Sequence, residues 1–334
     1  MVISIDKKIE KKLRNAHYGI FNHSAVQICS WTKSSLRNEN FCYKQKFYGI
    51  DCHRCMEFSP AAVFCENNCI FCWRPMEFMK KIHMKKTHVD EPKDIYENLL
   101  LERKKLLSGF LGNKNVDKKI FKDAIIPNHF AISLSGEPTL YPKLPELILF
   151  LRNLPQTKSI FLVTNAQEPG MLKKLERKNS LPTQLYISMN APNEELFKKI
   201  CAPSQKDAWK RFKKSLEIFS GLKTRRVIRM TMIKGMNMDK KYMSEYANLI
   251  KKANPHFIEI KSYMWIGLSR KRLKEENMPT HEEIKEFAKE FAKMIDFDIV
   301  DEKEDSRIVL LQNKKERIDR LIKSPIPGSS NLIL

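Results

Sequence analysis

Cys65, Cys69 and Cys72 stand in one run, Cys65-Glu66-Asn67-Asn68-Cys69-Ile70-Phe71-Cys72, at spacings of four and three. Three thiols this close in sequence can close on one small inorganic centre. Thiolates are soft donors that suit iron–sulfur clusters or zinc. A 4Fe–4S cluster wants four ligands, so three cysteines leave one iron open to bind and activate a small molecule. The competing reading is a zinc site in which His53, His83 or His88 completes the three cysteines.

A second set lies upstream. Cys29, Cys42 and Cys55 are spaced by thirteen and thirteen, too far apart for a zinc knuckle in one loop. They can still converge on a second cluster with an open iron. Cys52 competes for the third place, because Cys52-x2-Cys55 is itself a common metal-ligand pair. Cys201, alone at a helix end, reads as a small buried apolar residue. Downstream, Gly136-Glu137-Pro138 offers a carboxylate and turn carbonyls, which suit a positively charged amine. On the triplet alone an ordinary turn serves as well. Ser188 and Asn190 either cap a strand end or reach a bound ligand. The stretch 261–274 sets Lys261, Arg270, Lys271, Arg272 and Lys274 beside Tyr263 and Trp265. Such cations neutralise phosphates, and such rings stack on a displaced base. A solvated loop over buried aromatics is the plainer alternative.

The bulk properties narrow the partners. The 334-residue chain carries a net charge of +22, which implies a polyanion, with nucleic acid preferred over an acidic membrane surface. A lysine-rich compositional bias is the bland alternative. No run reaches the roughly 18 apolar residues of a membrane span, and Met1 to Arg14 lacks a signal-peptide core. The expectation is a cytoplasmic protein whose cysteines serve metal or redox chemistry before disulfides.

Elements must hold these residues in place. Residues 1–14 read as a charged helix, and 15–62 as a cysteine-bearing segment with little periodicity. Strands are expected at 61–64, 129–135, 159–165, 184–190, 225–233 and 257–263. Helices are expected near 92–106, 143–152, 171–178, 193–200, 205–219, 239–253 and 281–295. A basic loop with Lys80, Lys81, Lys85 and Lys86 follows the cysteine run. Two short strands, 297–300 and 307–311, precede an irregular Pro/Ser-rich tail. Six strand–helix units with apolar strands predict a parallel sheet covered by helices, an α/β chain built as a partial (βα)6 TIM-type barrel. No glycine-rich dinucleotide loop follows the first strand, so a Rossmann fold has no support. Cys65, Glu137, Thr164, Asn165, Ser188, Asn190, Arg229, Thr231 and Lys261 all fall where strands stop, the catalytic end of such barrels. The expected division is an N-terminal extension (1–58), the barrel (59–296) and a C-terminal closing segment (297–334).

The cysteine run with Phe71 before its last cysteine resembles the signature of the radical S-adenosylmethionine (SAM) superfamily. Further stretches resemble the archaeal-type tRNA 4-demethylwyosine synthases. They are Cys42-Tyr-Lys-Gln-Lys-Phe-Tyr-Gly-Ile50, His53-Arg-Cys55, Cys65 to Trp73, Ile132-Ser-Leu-Ser-Gly-Glu-Pro-Thr-Leu-Tyr-Pro142, Gln184-Leu-Tyr-Ile-Ser188, Phe257-Ile-Glu-Ile-Lys-Ser-Tyr-Met264, Gly267-Leu-Ser-Arg270, Arg272-Leu273, and Asp305-Ser-Arg through Asn313. The likeness covers about residues 17 to 313.

That resemblance implies two 4Fe–4S clusters, one on Cys65, Cys69 and Cys72 and one on Cys29, Cys42 and Cys55. Cys52 departs from the family pattern. SAM would be cleaved at the first cluster, with Gly136, Glu137 and Pro138 near its amino group and Ser188 and Asn190 near its carboxylate or ribose. The implied substrates are N1-methylguanosine beside the anticodon of tRNA(Phe) and pyruvate, joined to give 4-demethylwyosine. Lys44 matches the lysine proposed in the family to form a Schiff base with pyruvate, chemistry that needs a lowered pKa. Phosphate contact is its alternative, with Lys46 and Arg54 nearby, and the second cluster is an alternative pyruvate site. Eukaryotic relatives carry a flavodoxin-like domain in front. This chain shows none, so a separate donor of flavodoxin or ferredoxin type is expected, with the enzyme a monomer. The rival readings are another radical SAM enzyme with an auxiliary cluster, such as a peptide-modifying one, and a non-catalytic basic zinc protein that binds RNA.

Overall fold

The computed structural model describes residues 2–78 and 83–322. Lys80 and Lys81 of the expected basic loop, and the tail from residue 323, lie outside the described residues. The strands are β1 (Tyr18–Phe21), β2 (Ser24–Gln27), β3 (Cys55–Ser59), β4 (His129–Ile132), β5 (Ser159–Thr164), β6 (Gln184–Ser188), β7 (Arg225–Met232), β8 (Phe257–Ser262), β9 (Phe297–Lys303) and β10 (Ile308–Asn313). The helices are α1 (Lys7–Asn15), α2 (Ser30–Leu36), α3 (Tyr43–Tyr48), α4 (Pro92–Ser108), α5 (Lys118–Ala124), α6 (Leu144–Arg152), α7 (Pro169–Arg177), α8 (Glu194–Cys201), α9 (Ala208–Gly221), α10 (Met243–Ala253) and α11 (His281–Ile295).

One sheet runs β1-β2-β3-β4-β5-β6-β7-β8-β10-β9. The neighbours from β3 to β8 are parallel, which makes the six-stranded partial barrel. Antiparallel strands extend it at both ends, β1 and β2 on one side and β10 and β9 on the other. Local chemistry sets the helices. Asp6 caps α1, Asn193 caps α8, and Thr280 with Glu283 forms a capping box at α11. Pro92 opens α4, where its missing N–H costs nothing.

The first parallel strand is not where the sequence suggested. Residues 61–64 are buried but irregular, and β3 precedes them. Pro60 explains the shift, since it cannot donate to a ladder and ends the strand. The expected boundary at residue 58 therefore falls inside β3. The N-terminal hairpin and α2, α3 and α5 were not foreseen.

The sheet's outer face carries the main core beneath the helices. Its inner face is filled by α3, whose Tyr43, Phe47 and Tyr48 pack with Phe161, Tyr186, Val227, Phe257, Ile308 and Leu310. The C-terminal end pins this helix: Ile322 N donates to the Tyr48 carbonyl at 2.9 Å. Among the described residues no helix is long and apolar enough to cross a membrane.

Candidate cluster and substrate site

The first cysteine loop lies over the end of α8. Asn68 N donates to the Cys201 carbonyl at 2.9 Å, Ile70 N to the Ile200 carbonyl at 2.9 Å, and Ser204 N to the Glu66 carbonyl at 2.8 Å. From the other side Arg272 donates through Nε to the Ile70 carbonyl at 3.0 Å and through Nη2 to the Cys72 carbonyl. Gly267 permits that approach: its φ is +57°, and a Cβ there would sit 2.5 Å from the Trp73 carbonyl oxygen. With the carbonyls held outward, the thiols of Cys65, Cys69 and Cys72 are left free of disulfides and within electrostatic range of one another.

Their surroundings fit an anionic cluster. Asn165 Nδ2 lies 3.7 Å from Cys65 Sγ, backbone N–H groups of Asn67 and Arg74 point at Cys65 and Cys72, and the guanidinium groups of Arg74 and Arg272 stand beside Cys72. Burial pushes the Cys65 thiol well up and the Cys72 thiol to about 11. Cys201 is buried as expected, but its thiol also hydrogen-bonds Cys69. Among the described residues no group of three or more Cys, His, Asp or Glu is gathered to hold a single ion. A zinc site completed by His53, His83 or His88 is not assembled there.

The Gly136 turn is clamped to the segment leading into Cys65. Glu137 N donates to the Phe64 carbonyl at 2.6 Å and Ser135 Oγ to the Ala62 carbonyl at 2.7 Å. Gly136 has φ +69°, and a Cβ there would lie 1.9 Å from the Ala61 oxygen. The Glu137 carboxylate is buried and accepts from Thr139 N (3.0 Å), Thr139 Oγ1 (2.6 Å) and Thr164 Oγ1 (2.7 Å) at Oε1 and from Asn165 N (2.7 Å) at Oε2, which ties Asn165 to the turn. Glu66 is partnered on one side only: its Oε2 accepts from Asn165 Nδ2 at 3.3 Å while its Oε1 is buried with no hydrogen bond, and burial together with the Glu137 charge raises its pKa to about 8. Pro138 is buried, Ser188 is half-buried, and Asn190 Oδ1 accepts from Thr231 N at 3.3 Å.

Cys29, Cys42 and Cys55 lie within electrostatic range of one another. Cys29 caps α2, Cys42 caps α3, and Cys55 opens β3. Cys55 interacts with both Cys29 and Cys42, and burial raises Cys42 to about 12. Cys52 is buried with its sulfur 3.9 Å from the Trp31 carbonyl. Arg74 links the two sets, standing beside Cys72 with its Nη2 3.8 Å from Glu57, which in turn neighbours Cys29 and Cys55.

Lys44 lies two residues beyond Cys42, buried, with Nζ 4.8 Å from the Phe161 ring centroid and 5.1 Å from that of Tyr186. The cations near it in sequence are engaged elsewhere: Lys46 with Asp301 at 3.0 Å, Arg54 with the Ile126 carbonyl at 3.3 Å. Beside the helix a buried network joins Glu259 to Tyr48 OH (2.8 Å), Tyr43 OH (3.2 Å) and Arg229 Nε (3.0 Å).

The stretch 261–274 divides against expectation. Lys261 points inward, donating to the Ser306 carbonyl at 2.6 Å, and burial followed by the Arg229 charge lowers its pKa to about 8. Arg272 is spent on the cysteine loop and on Glu77 (2.6 Å). Tyr263 is buried against Ser269, and Trp265 is half-buried with its Nε1 on the Leu273 carbonyl. Of the four cations assigned to RNA, Arg270 and Lys271 remain exposed. Trp73 offers an exposed ring beside the cysteine loop, with the Arg74 guanidinium 3.5 Å from its centroid. Glu66, Arg74 and Arg103 were not assigned from sequence, and Asn165 was placed only at a strand end. Arg103 was readable as a charge in an apolar row, since Ile95, Leu99, Arg103 and Leu107 share the buried face of α4.

Residues 60–247 match the radical SAM superfamily, and residues 252–313 match the wyosine base formation family. A SAM-dependent tRNA 4-demethylwyosine synthase of Pyrococcus horikoshii is 44% identical over 92% of this chain and 89% of its own. Its counterpart from Methanocaldococcus jannaschii is 41% identical over 94% and 99%. A solved structure of TYW1 with a lysine-pyruvate adduct bound superposes with a TM-score of 0.84 at 38% identity, covering 95% of this chain and 99% of that one.

Proposed function

The chain belongs to the radical SAM family of tRNA 4-demethylwyosine synthases, and from that membership we propose how its residues divide the work. It is a SAM-dependent enzyme with a 4Fe–4S cluster, and its reaction builds 4-demethylwyosine from N1-methylguanosine beside the anticodon of tRNA(Phe) and pyruvate. When bound, that cluster supplies the electron that cleaves SAM. Cys65, Cys69 and Cys72 hold it, with Asn165, Arg74 and Arg272 fixing the loop and countering its charge. The unpartnered Glu66 oxygen beside Glu137 suits the SAM ammonium group, together with the carbonyls of the Gly136 turn. Ser188 and Asn190 lie at the neighbouring strand end for its carboxylate or ribose. Cys29, Cys42 and Cys55 hold a second 4Fe–4S cluster, and Cys52 stays outside it, facing Trp31.

Lys44 binds pyruvate as an imine. The solved relative has a lysine-pyruvate adduct, and here Lys44 is the buried lysine of α3, on the same helix as Cys42. The observation that supports the reading is the Arg74–Glu57 link, which joins the surroundings of the first cysteine group to those of the second, with α3 packed on the inner face of the sheet. Arg270 and Lys271 contact tRNA phosphates, and Trp73 offers a ring on which a base can stack. We assign the segment before β3, together with Cys55 at its start, to the second cluster, the elements from β3 to α11 to the barrel, and β9 with β10 to its closure. We assign the chain a monomeric state, a separate flavodoxin- or ferredoxin-type donor and a cytoplasmic workplace.

Anaerobically reconstituted protein with SAM, pyruvate, reductant and methylated tRNA should yield 4-demethylwyosine by mass spectrometry. It should hold near eight irons, falling to about four when either cysteine trio is changed to alanine. Product from tRNA with unmodified guanosine, or a colourless zinc protein, overturns the reading.

A further inference from the structure

We propose that Arg103 is the internal counter-ion of the second cluster, a positioning residue that makes this anionic centre tolerable inside the fold and sets its potential. The inference rests on the second-cluster reading above.

Arg103 is fully buried on α4, in the row otherwise filled by Ile95, Leu99 and Leu107. Among the described residues no carboxylate pairs with it. Its Nη1 donates to the Ala124 carbonyl, its Nη2 to the carbonyls of His53 and Cys55 at 3.3 Å each, and its Nε has no acceptor. A buried cation without a counter-charge is costly, and carbonyl dipoles only partly offset it. Its electrostatic neighbours are Cys55, Cys29 and the phenol of Tyr96. Three thiolates on a cluster would supply the missing negative charge. The other charged groups facing those thiols are Glu57, which opposes ligation, and Lys44, which lies near Cys42 and Cys55. If Lys44 is consumed as a neutral imine, Arg103 becomes the fixed cation on this side.

Two variants separate charge from clamping. Arg103→Gln keeps an amide to donate to a carbonyl but removes the charge; Arg103→Lys keeps the charge and loses the guanidinium fork. Both are made in a background where Cys65, Cys69 and Cys72 are alanine, so that only the second cluster is present. Expected for Arg103→Gln is a midpoint potential shifted to more negative values and partial loss of iron, with little change in Arg103→Lys. Without cluster, the Gln variant should melt no lower than its parent; with cluster, it should melt lower. Unchanged potential and iron in Arg103→Gln overturn the inference. So does equal destabilisation with and without cluster, which marks a plain structural clamp. A parent background that binds no iron overturns the second-cluster reading as well, and is recognised before any Arg103 variant is measured.

Discussion

Arg272 Nε lies 3.0 Å from the carbonyl oxygen of Ile70, a contact between the loop behind β8 and the loop of the first cysteines. A residue in a basic stretch is thereby committed to shaping a metal loop. Replacing Arg272 with alanine should reduce iron content and SAM cleavage while leaving tRNA affinity nearly unchanged. Iron assay and 5′-deoxyadenosine release measure the first two. Lower tRNA affinity with full iron would reverse the assignment.

Changing Arg270 and Lys271 together should act on the other property. For single-stranded contacts the log–log salt dependence of tRNA binding should flatten by roughly 0.7 per lost phosphate contact, about 1.4 in all. SAM cleavage without tRNA should stay at the parent rate. An unaltered slope in filter binding would remove both cations from the interface.

Lys44→Ala should retain its iron and lose product, and Lys44→Arg should fail likewise, since a guanidinium forms no imine with pyruvate. Borohydride with pyruvate should add a covalent mass to the parent at Lys44 and nowhere else. Full turnover by the alanine variant would favour the second cluster as the pyruvate site.

Gly136→Ala should be poorly tolerated. The positive φ alone costs roughly 1–3 kcal/mol, and the new methyl would overlap the Ala61 carbonyl at 1.9 Å. Denaturant unfolding should show the loss, and SAM affinity should fall with it because the turn is clamped to the segment that leads into Cys65. A variant with parental stability would mean that the turn can rearrange.

Acid should weaken the fold through His256. Burial, then the Arg226 charge, lowers its pKa to about 4 from the ordinary 6.5, and its neutral Nδ1 accepts from Arg226 N at 2.9 Å. The unfolded chain therefore takes up the proton first. This contribution to stability is intact above pH 6.5 and is lost progressively as pH falls toward 4. His256→Asn keeps an acceptor without the titration and should flatten the urea-midpoint profile across that window.

The alternation of strands and helices was legible because strands such as His129–Ile132 and Ser159–Thr164 are short, largely apolar runs set between amphipathic helices. β3 was misplaced because the buried residues 61–64 look more strand-like than Cys55–Ser59, and only Pro60 says otherwise. The six-residue α3 left no periodic trace, since its buried side chains include Lys44 and two tyrosines whose partners lie on distant strands. Spacing and family likeness singled out the same cysteines that the structure brings into electrostatic range within each trio. The destinations of Lys261 and Arg272 could not be read, because acceptors 45 residues away for the one and 202 for the other leave no local pattern.

The helix that carries Cys42 and Lys44 is also the stopper of the barrel. Its inner contacts are with β5 to β8 and β10, and its last carbonyl waits for Ile322. On the ribosome this helix emerges before β5 to β8, β10 and Ile322, so its seat is not finished until those later elements have left the tunnel. Contacts of such long sequence separation form late. Any metal that Cys29, Cys42 and Cys55 take up in their native arrangement must therefore arrive after β10 has folded, and a chain cut short before β10 would leave those cysteines unseated.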